Sequence, residues 1–273
     1  MSLSLRYHAK TSVPVEIEGV IPDRVRTQSL AEIEKLEIQH GNERLPLAEL
    51  FTVTGDPSDG RIDFEGELAG VHDIGRGMSA GAIYVHGDAG RHVGGRMTGG
   101  QIEIDGNAGD WLGGEMHGGL IKVSGNAGDS VGAAYHGSKK GMTDGTILIR
   151  GDAGSEVGKL LRRGTLVIGG SCGDASGFNM IAGSILIFGT CGIRLGAGMR
   201  RGTIALFGTQ PTKLLPTFRP AGRFRPLFLR LIFRELDRLD FHVDHGLLEN
   251  ALLLSHGDLV ALGKGEVWMS GDS

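Results

Sequence analysis

Two cysteines in 273 residues cannot by themselves make an iron–sulfur or zinc site. No apolar run approaches the ~20 residues of a membrane-spanning helix. The opening MSLSLRYHAK has no signal-peptide apolar core, so a soluble cytoplasmic protein without membrane contact is expected. Charge of one sign is also missing. Lys and Arg number 28 against 32 Asp and Glu, and a net charge of -4 gives no basic field for nucleic acid. Glycine is plentiful, at 48 residues, but it has no three-residue period, which excludes collagen. Its alternation with Ile, Val and Leu argues against disorder.

What the glycines do have is a longer period. Repeats open at Gly60, Gly81, Gly100, Gly119, Gly145, Gly164, Gly183 and Gly202. Five of the seven intervals are 19 residues; the first copy carries two extra residues and the fourth carries seven. A fixed period near 20 marks a solenoid, in which each unit buries its apolar face only by stacking on its neighbours.

Within each unit the third position reads Ile62, Ile83, Ile102, Ile121, Ile147, Leu166, Ile185, Ile204, and the fifth reads Phe64, Val85, Ile104, Val123, Ile149, Ile168, Ile187, Leu206. This period-two pattern of branched residues predicts a half-buried strand. A turn such as Asp88-Ala89-Gly90 or Asn107-Ala108-Gly109 follows, where Asn, Asp and Gly are expected to supply positive φ. A second short strand is predicted to end at Val93-Gly94 and its equivalents. Met78, Met97, Met116, Met142, Met180 and Met199 then recur, with Leu161 in the slot once, as adaptable filler of a narrow core. Stacked in register, these units give an all-β fold, a right-handed parallel β-helix of about eight coils. The glycine gaps do not fit a six-residue left-handed type, and no recurring GGxGxD marks a calcium-binding one.

Three segments follow. Residues 1–59 form an N-terminal cap, with strand material from Leu3 to Ile17, a helix from Ser29 to Ile38 and a Ser29–Glu32 capping box. Residues 60–210 are the repeats. Residues 211–273 hold a linker punctuated by Pro211, Pro216, Pro220 and Pro226, an amphipathic helix from about Pro226 to Leu239, and a closing tail. The helix is expected either across the open C-terminal coil or on another subunit. Phe188 and Phe207 follow inward residues, so they are predicted to stack outward as a partner contact.

No catalytic constellation stands out. Six of the ten histidines occupy no shared ladder with carboxylates, so neither a metal site nor a catalytic residue is expected. Gly75-Arg76-Gly77 lacks the βαβ context of a dinucleotide fingerprint. Cys172 and Cys191 occupy the Ala slot of adjacent units, as reduced core residues or as a staple. Two basic groups remain as binding candidates. Lys139 and Lys140 lie in the insertion Tyr135–Gly141; Arg219, Arg223 and Arg225 lie in the linker.

The GxIxVxGxAGxxVGxxM pattern resembles the C-terminal β-helix of the glutamate synthase large subunit. With the free-standing length and the tail Gly257-Asp258 and Gly263-Lys264-Gly265-Glu266-Val267-Trp268, it resembles more closely the C subunit of formylmethanofuran dehydrogenase. The resemblance has two settings. In the bacterial formyltransferase/hydrolase complex, a formyl group passes from tetrahydromethanopterin to a methanofuran-type cofactor and leaves as formate during formaldehyde oxidation. In the archaeal molybdenum or tungsten enzyme, CO2 is reduced to formylmethanofuran. The Arg- and Pro-rich linker favours the bacterial form. The resemblance implies a scaffold without an active site or cofactor of its own. Its partners would be an amidohydrolase-like subunit, a formyltransferase subunit and a dehydrogenase-like subunit. Lys139, Lys140, Arg219, Arg223 and Arg225 would then contact an acidic partner or the polyglutamate-type tail of the cofactor. A glutamate-synthase-like spacer and a polysaccharide-active β-helix enzyme are the competing readings.

Overall fold

The computed structural model describes residues 2–210 and 212–270; Pro211 of the basic segment lies outside the described residues. The molecule is mostly β, with few helices and one large mixed sheet. The N-terminal segment contributes β1 (Leu3–Tyr7), β2 (Val15–Glu16), α1 (Pro22–Val25), α2 (Leu30–Ile33), β3 (Glu37–His40), β4 (Glu43–Pro46) and β5 (Phe51–Thr54). The repeats contribute β6 (Arg61–Glu65), β7 (Val71–His72), β8 (Ala82–His86), β9 (Gln101–Ile104), β10 (His117–Val123), β11 (Asp144–Ile149), β12 (Thr165–Ile168), β13 (Ser184–Ile187) and β14 (Arg201–Leu206). The C-terminal segment adds β15 (Arg219–Phe224), α3 (Leu227–Arg238), β16 (Leu252–Gly257) and β17 (Lys264–Met269).

Repeat strands pair in parallel at the register that the 19-residue period sets. Ile83 lies against Ile102, Ile102 against Ile121, Leu166 against Ile185 and Ile185 against Ile204. The seven-residue insertion leaves this register intact, because Ile121 still meets Ile147. A second stack sits at the Ala slot, where single bridges join Ala89, Ala108, Ala127, Ala153, Cys172 and Cys191 in succession. Stacked like residues make the core a set of ladders, which buries branched side chains at every rung without long-range design of each pair.

The corners differ from the sequence expectation. Asp88, Asn107, Asn126 and Asp152 do not have positive φ. They act as acceptors instead: Asn107 N–H donates to Asp88 Oδ1 at 2.7 Å, Asn126 N–H to Asn107 Oδ1 at 2.8 Å, and Asp152 N–H to Asn126 Oδ1 at 2.8 Å. Each side chain thereby satisfies a backbone donor of the next rung that the turn leaves unpaired. Nor is Val93-Gly94 the end of a strand. It lies in a turn whose left-handed residues are His92, Trp111, Ser130, Glu156, Ala175 and Arg194 together with the glycines two positions on. The flipped peptide lets His92 N–H donate to Asp110 O at 2.9 Å and Trp111 N–H to Asp129 O at 2.8 Å, again one rung on.

The methionine slots are all fully buried, Leu161 included. Truncating an interior member, Met116→Ala, is expected to cost about 2–4 kcal/mol through the cavity left in a column that cannot collapse. Urea denaturation measures it, and a loss below about 0.5 kcal/mol contradicts the ladder.

At the N-terminal end β1 pairs in parallel with β6 and antiparallel with β5, so the first repeat strand has a covered edge. The helix expected over residues 29–38 is one turn, α2. Ser29 N–H and Oγ both donate to Glu32 Oε2, at 2.7 and 2.8 Å, but from Glu37 the chain becomes β3, paired with β2 and β4. Alternating burial at Ile38 recruits these residues to a small sheet, and tertiary pairing overrides helix propensity.

At the C-terminal end β17 adds in parallel to β14, with Val267 against Ile204, and β16 and β15 follow antiparallel. Residues 219–224 of the expected linker are therefore a strand. α3 lies on the chain's own sheet rather than across the open coil. Leu229, Phe233 and Leu236, spaced i, i+4, i+7, are buried against Leu148, Val167, Leu186, Ala205 and Phe207 on the outer face of the sheet.

Candidate interaction surface

The outer sheet face is formed by the residue between the two inward positions of each strand. Along the stack it reads Asp63, Tyr84, Glu103, Lys122, Leu148, Val167, Leu186, Ala205, Trp268. The N-terminal half is polar and the C-terminal half apolar, and α3 lies on the apolar half. Phe188 and Phe207 point outward and stack at 4.9 Å and 17°, but their cover is the chain's own Phe233, at 5.8 and 5.4 Å. Phe207 is only 3% exposed, so the predicted partner contact is corrected to an internal one. The signal that finds it is the run Leu148, Val167, Leu186, Ala205, an apolar row too long to face water.

The polar half carries an ion ladder. His86 lies between two carboxylates, Nε2 at 3.2 Å from Asp63 Oδ1 and Nδ1 at 3.0 Å from Asp105 Oδ2. Burial works to lower the His86 pKa, but the bonds to Asp105 and Asp63 outweigh it and raise it above 6.5. Asp63 is held low: burial opposes this, and the bonds from Arg61, Ser2 and His86 overcome it. The sign for His86 follows from linkage. Its protonated form adds stability below the unfolded pKa near 6.5, and that contribution is lost as pH rises through the folded value. A proton NMR titration is expected to place the His86 midpoint above 6.5, and Asp105→Asn to lower it; a midpoint at or below 6.5 contradicts the ladder. Beyond it, Lys122 Nζ lies 3.2 Å from Glu103 Oε1. A cavity of about 200 Å³ opens between this face and the Leu239–Phe241 turn.

The insertion in the fourth repeat folds back over earlier rungs. Tyr135 stacks on Trp111 at 5.0 Å and 26°, and Trp111 on His92 at 6.3 Å and 22°. The ring lies flat across Gly95 and Gly114, where an added Cβ would come within 2.6 Å of Tyr135 Oη and 2.8 Å of Cζ. Arg76 and Arg96 flank it, with guanidinium carbons 5.7 and 5.3 Å from the ring centre, and are themselves bound to Asp73 and Glu115. Burial pushes the Tyr135 pKa up to about 12, and its hydroxyl makes no hydrogen bond among the described residues.

The five sequence-selected cations fall into two places. Lys139 and Lys140 are exposed in this insertion, between β10 and β11. Arg219 and Arg223 lie on β15 at the far edge of the sheet and Arg225 just after it; all three are exposed, and five strands separate β15 from β11. The structure does not bring the two groups together. Cys172 and Cys191 are free thiols, Sγ to Sγ 3.2 Å, with Ser176 Oγ donating to Cys172 Sγ. The Cys191 contact lowers the Cys172 pKa and raises its own. Among the described residues no group of three or more His, Cys, Asp or Glu is arranged to hold a metal ion, and no helix is long and apolar enough to cross a membrane.

No family model matches the chain. Among curated proteins it is similar to the C subunit of the tungsten-containing formylmethanofuran dehydrogenase 2 of Methanothermobacter thermautotrophicus. The two are 37% identical over 86 residues, 30% of this chain and 32% of that protein. The C subunit of the molybdenum-containing formylmethanofuran dehydrogenase 1 of Methanosarcina barkeri is 37% identical over 85 residues, 30% of this chain and 28% of that protein. The match thus spans about a third of the length of these relatives. Among solved structures, a chain of the formyltransferase/hydrolase complex of Methylorubrum extorquens, crystallised with methylofuran, superposes with a TM-score of 0.90 at 34% identity, over 97% of this chain and 98% of that one. The chain belongs to the family of formylmethanofuran dehydrogenase C subunits. The curated matches cover only part of the chain, whereas the structural likeness to the Methylorubrum chain takes in the N-terminal strands, α3 and β15 to β17 as well.

Proposed function

We propose that this family member is a non-catalytic scaffold subunit of a formyltransferase/hydrolase complex in the cytoplasm. The full-length likeness to a chain of the Methylorubrum complex carries this reading. In it, the amidohydrolase-like, formyltransferase and dehydrogenase-like subunits do the chemistry. They pass a formyl group from tetrahydromethanopterin to a methanofuran-type cofactor and release formate. This chain gives them a stiff rod to assemble on. The repeats form a right-handed parallel β-helix, closed at one end by residues 1–59 and at the other by the segment after 210. In-register pairing along the whole stack and the handedness of parallel crossovers support that architecture. Lys139, Lys140, Arg219, Arg223 and Arg225 serve as contacts for acidic partner surfaces or for the cofactor tail, at two separate stations. The curated relatives favour a second reading, the archaeal-type molybdenum or tungsten enzyme, over about a third of their length.

The test is activity by subtraction. The purified chain given the formyl donor and methylofuran is expected to show no turnover, and the complex containing it is expected to release formate. Turnover by the isolated chain overturns the scaffold role. Formate release that is unchanged when this chain is omitted overturns its place in the complex.

A further inference from the structure

The rungs at the C-terminal end of the stack carry an arginine cluster just before their strands. Arg162 and Arg163 precede β12, and Arg200 and Arg201 occupy the same two positions before and at the start of β14. Ile181 and Ala182 fill these positions on the rung between, and Lys264 lies beside Arg201 on the next rung. All four arginines are exposed and line a groove of about 330 Å³ floored by Ile181 and Ala182. With rungs ~4.8 Å apart, the two arginine pairs stand about 10 Å apart along the stack.

Several cations on the rungs are mated to carboxylates, as in Arg76–Asp73, Arg96–Glu115, Lys122–Glu103 and Lys159–Glu156. None of these four guanidinium groups has a carboxylate partner among the described residues. Asp144, one rung before Arg163, turns its carboxylate to Gly145 N–H at 2.8 Å. Asp258, which lines an adjoining cavity with Arg200, accepts from Gly198 N–H at 2.9 Å and Val260 N–H at 3.0 Å. The loop after Asp258 borders the same groove and displays Leu259, Val260 and Leu262 at 52, 80 and 47% exposure.

We propose that this groove and its apolar rim are the docking surface for an acidic segment of another subunit of the complex. The inference rests on the subunit role proposed above. Unpaired guanidinium groups beside exposed aliphatic side chains match the composition of a protein interface core, where bidentate Arg–carboxylate bonds supply specificity. A small free anion would leave the apolar rim in water. The chain's net charge of -4 weighs against an anionic bilayer as the occupant.

The test combines the double charge reversal R163E/R201E with the milder R163K/R201K in the co-expressed complex. Both sites are exposed, so thermal unfolding of the isolated chain is expected to stay close to that of the unmodified protein. Size exclusion at rising salt is expected to show R163E/R201E leaving the complex at least tenfold more readily at low salt, with the difference shrinking at high salt. R163K/R201K is expected to retain assembly, and zero-length carbodiimide coupling to join a substituted position to an Asp or Glu of another subunit. Assembly of R163E/R201E indistinguishable from the unmodified chain overturns the proposal, as does the lack of any such cross-link. Normal assembly with loss of binding to free oligoglutamate, or to phosphatidylglycerol vesicles, also overturns it by assigning the groove to a small anion or a bilayer. If the unmodified chain fails to join the other subunits, the scaffold reading itself falls.

Discussion

Gly119→Ala is expected to destabilise the protein by about 3–5 kcal/mol, although it adds one methyl group. Gly119 opens a repeat at φ +94°, a conformation that side chains rarely adopt. A Cβ there would stand 2.6 Å from Met97 Cε, 2.7 Å from Gly100 O and 3.0 Å from Gly99 C. The methionine end can move, but the two backbone atoms belong to the rung below and are held by its ladder bonds. Gly60→Ala separates the two contributions, because Gly60 has φ +70° and open space where its Cβ would go. It is expected to cost only the conformational part, ~1 kcal/mol. Urea unfolding of both variants measures the difference, and equal losses would show that contact between rungs is not what requires glycine at the repeat opening.

Phe233→Ala is expected to cost about 3–5 kcal/mol, the range for deleting a fully buried ring. The cost should be local. α3 is held to the sheet by Leu229, Phe233 and Leu236, whereas the rungs beneath it have their own ladder. Hydrogen exchange is expected to rise in residues 227–248, with the amides of β12 to β14 keeping their protection. The freed helix exposes Phe188, Phe207 and Leu186, so the variant is also expected to bind a hydrophobic dye. A uniform loss of protection through the repeats would mean that the helix is part of one cooperative unit with the stack.

The contrast between these two sites tracks what can be read from sequence. The inward positions of every repeat strand are legible because one period sets them all, and one register error would turn the whole ladder outward. The buried methionine column is legible for the same reason. The corner chemistry is not. Asp88 and Asn107 occur with glycine in a pattern that reads as positive φ, while their actual role is to accept a bond from the following rung, a relation visible only after stacking. Residues 29–38 read as helix from local propensity, yet Ile38 pairs with Leu45 in a hairpin that joins a small sheet with β2 and β7. The outward row Leu148, Val167, Leu186, Ala205 carries the position of α3, but only when residues 19 apart are compared on the outer face as well as the inner one. The arginine groove joins Arg162 and Arg163 to Arg200 and Arg201 across 38 positions, and the rim from Leu259 to Leu262 reaches it only because β17 adds to β14. The candidate cations Lys139 and Lys140 and Arg219, Arg223 and Arg225 are legible as charge, but their separation by five strands is a matter of topology.

The central claim is that this chain works as one part of a larger enzyme. Native mass spectrometry of the assembly recovered through a tag on this chain, from cells that also express the genes beside it, tests that most directly. The expected result is one dominant species whose mass requires this chain together with the formyltransferase and amidohydrolase-like subunits, and which releases formate from a formylated methanofuran-type cofactor. Recovery of this chain alone at 28.8 kDa, with those subunits assembled and active in the unbound fraction, would contradict it.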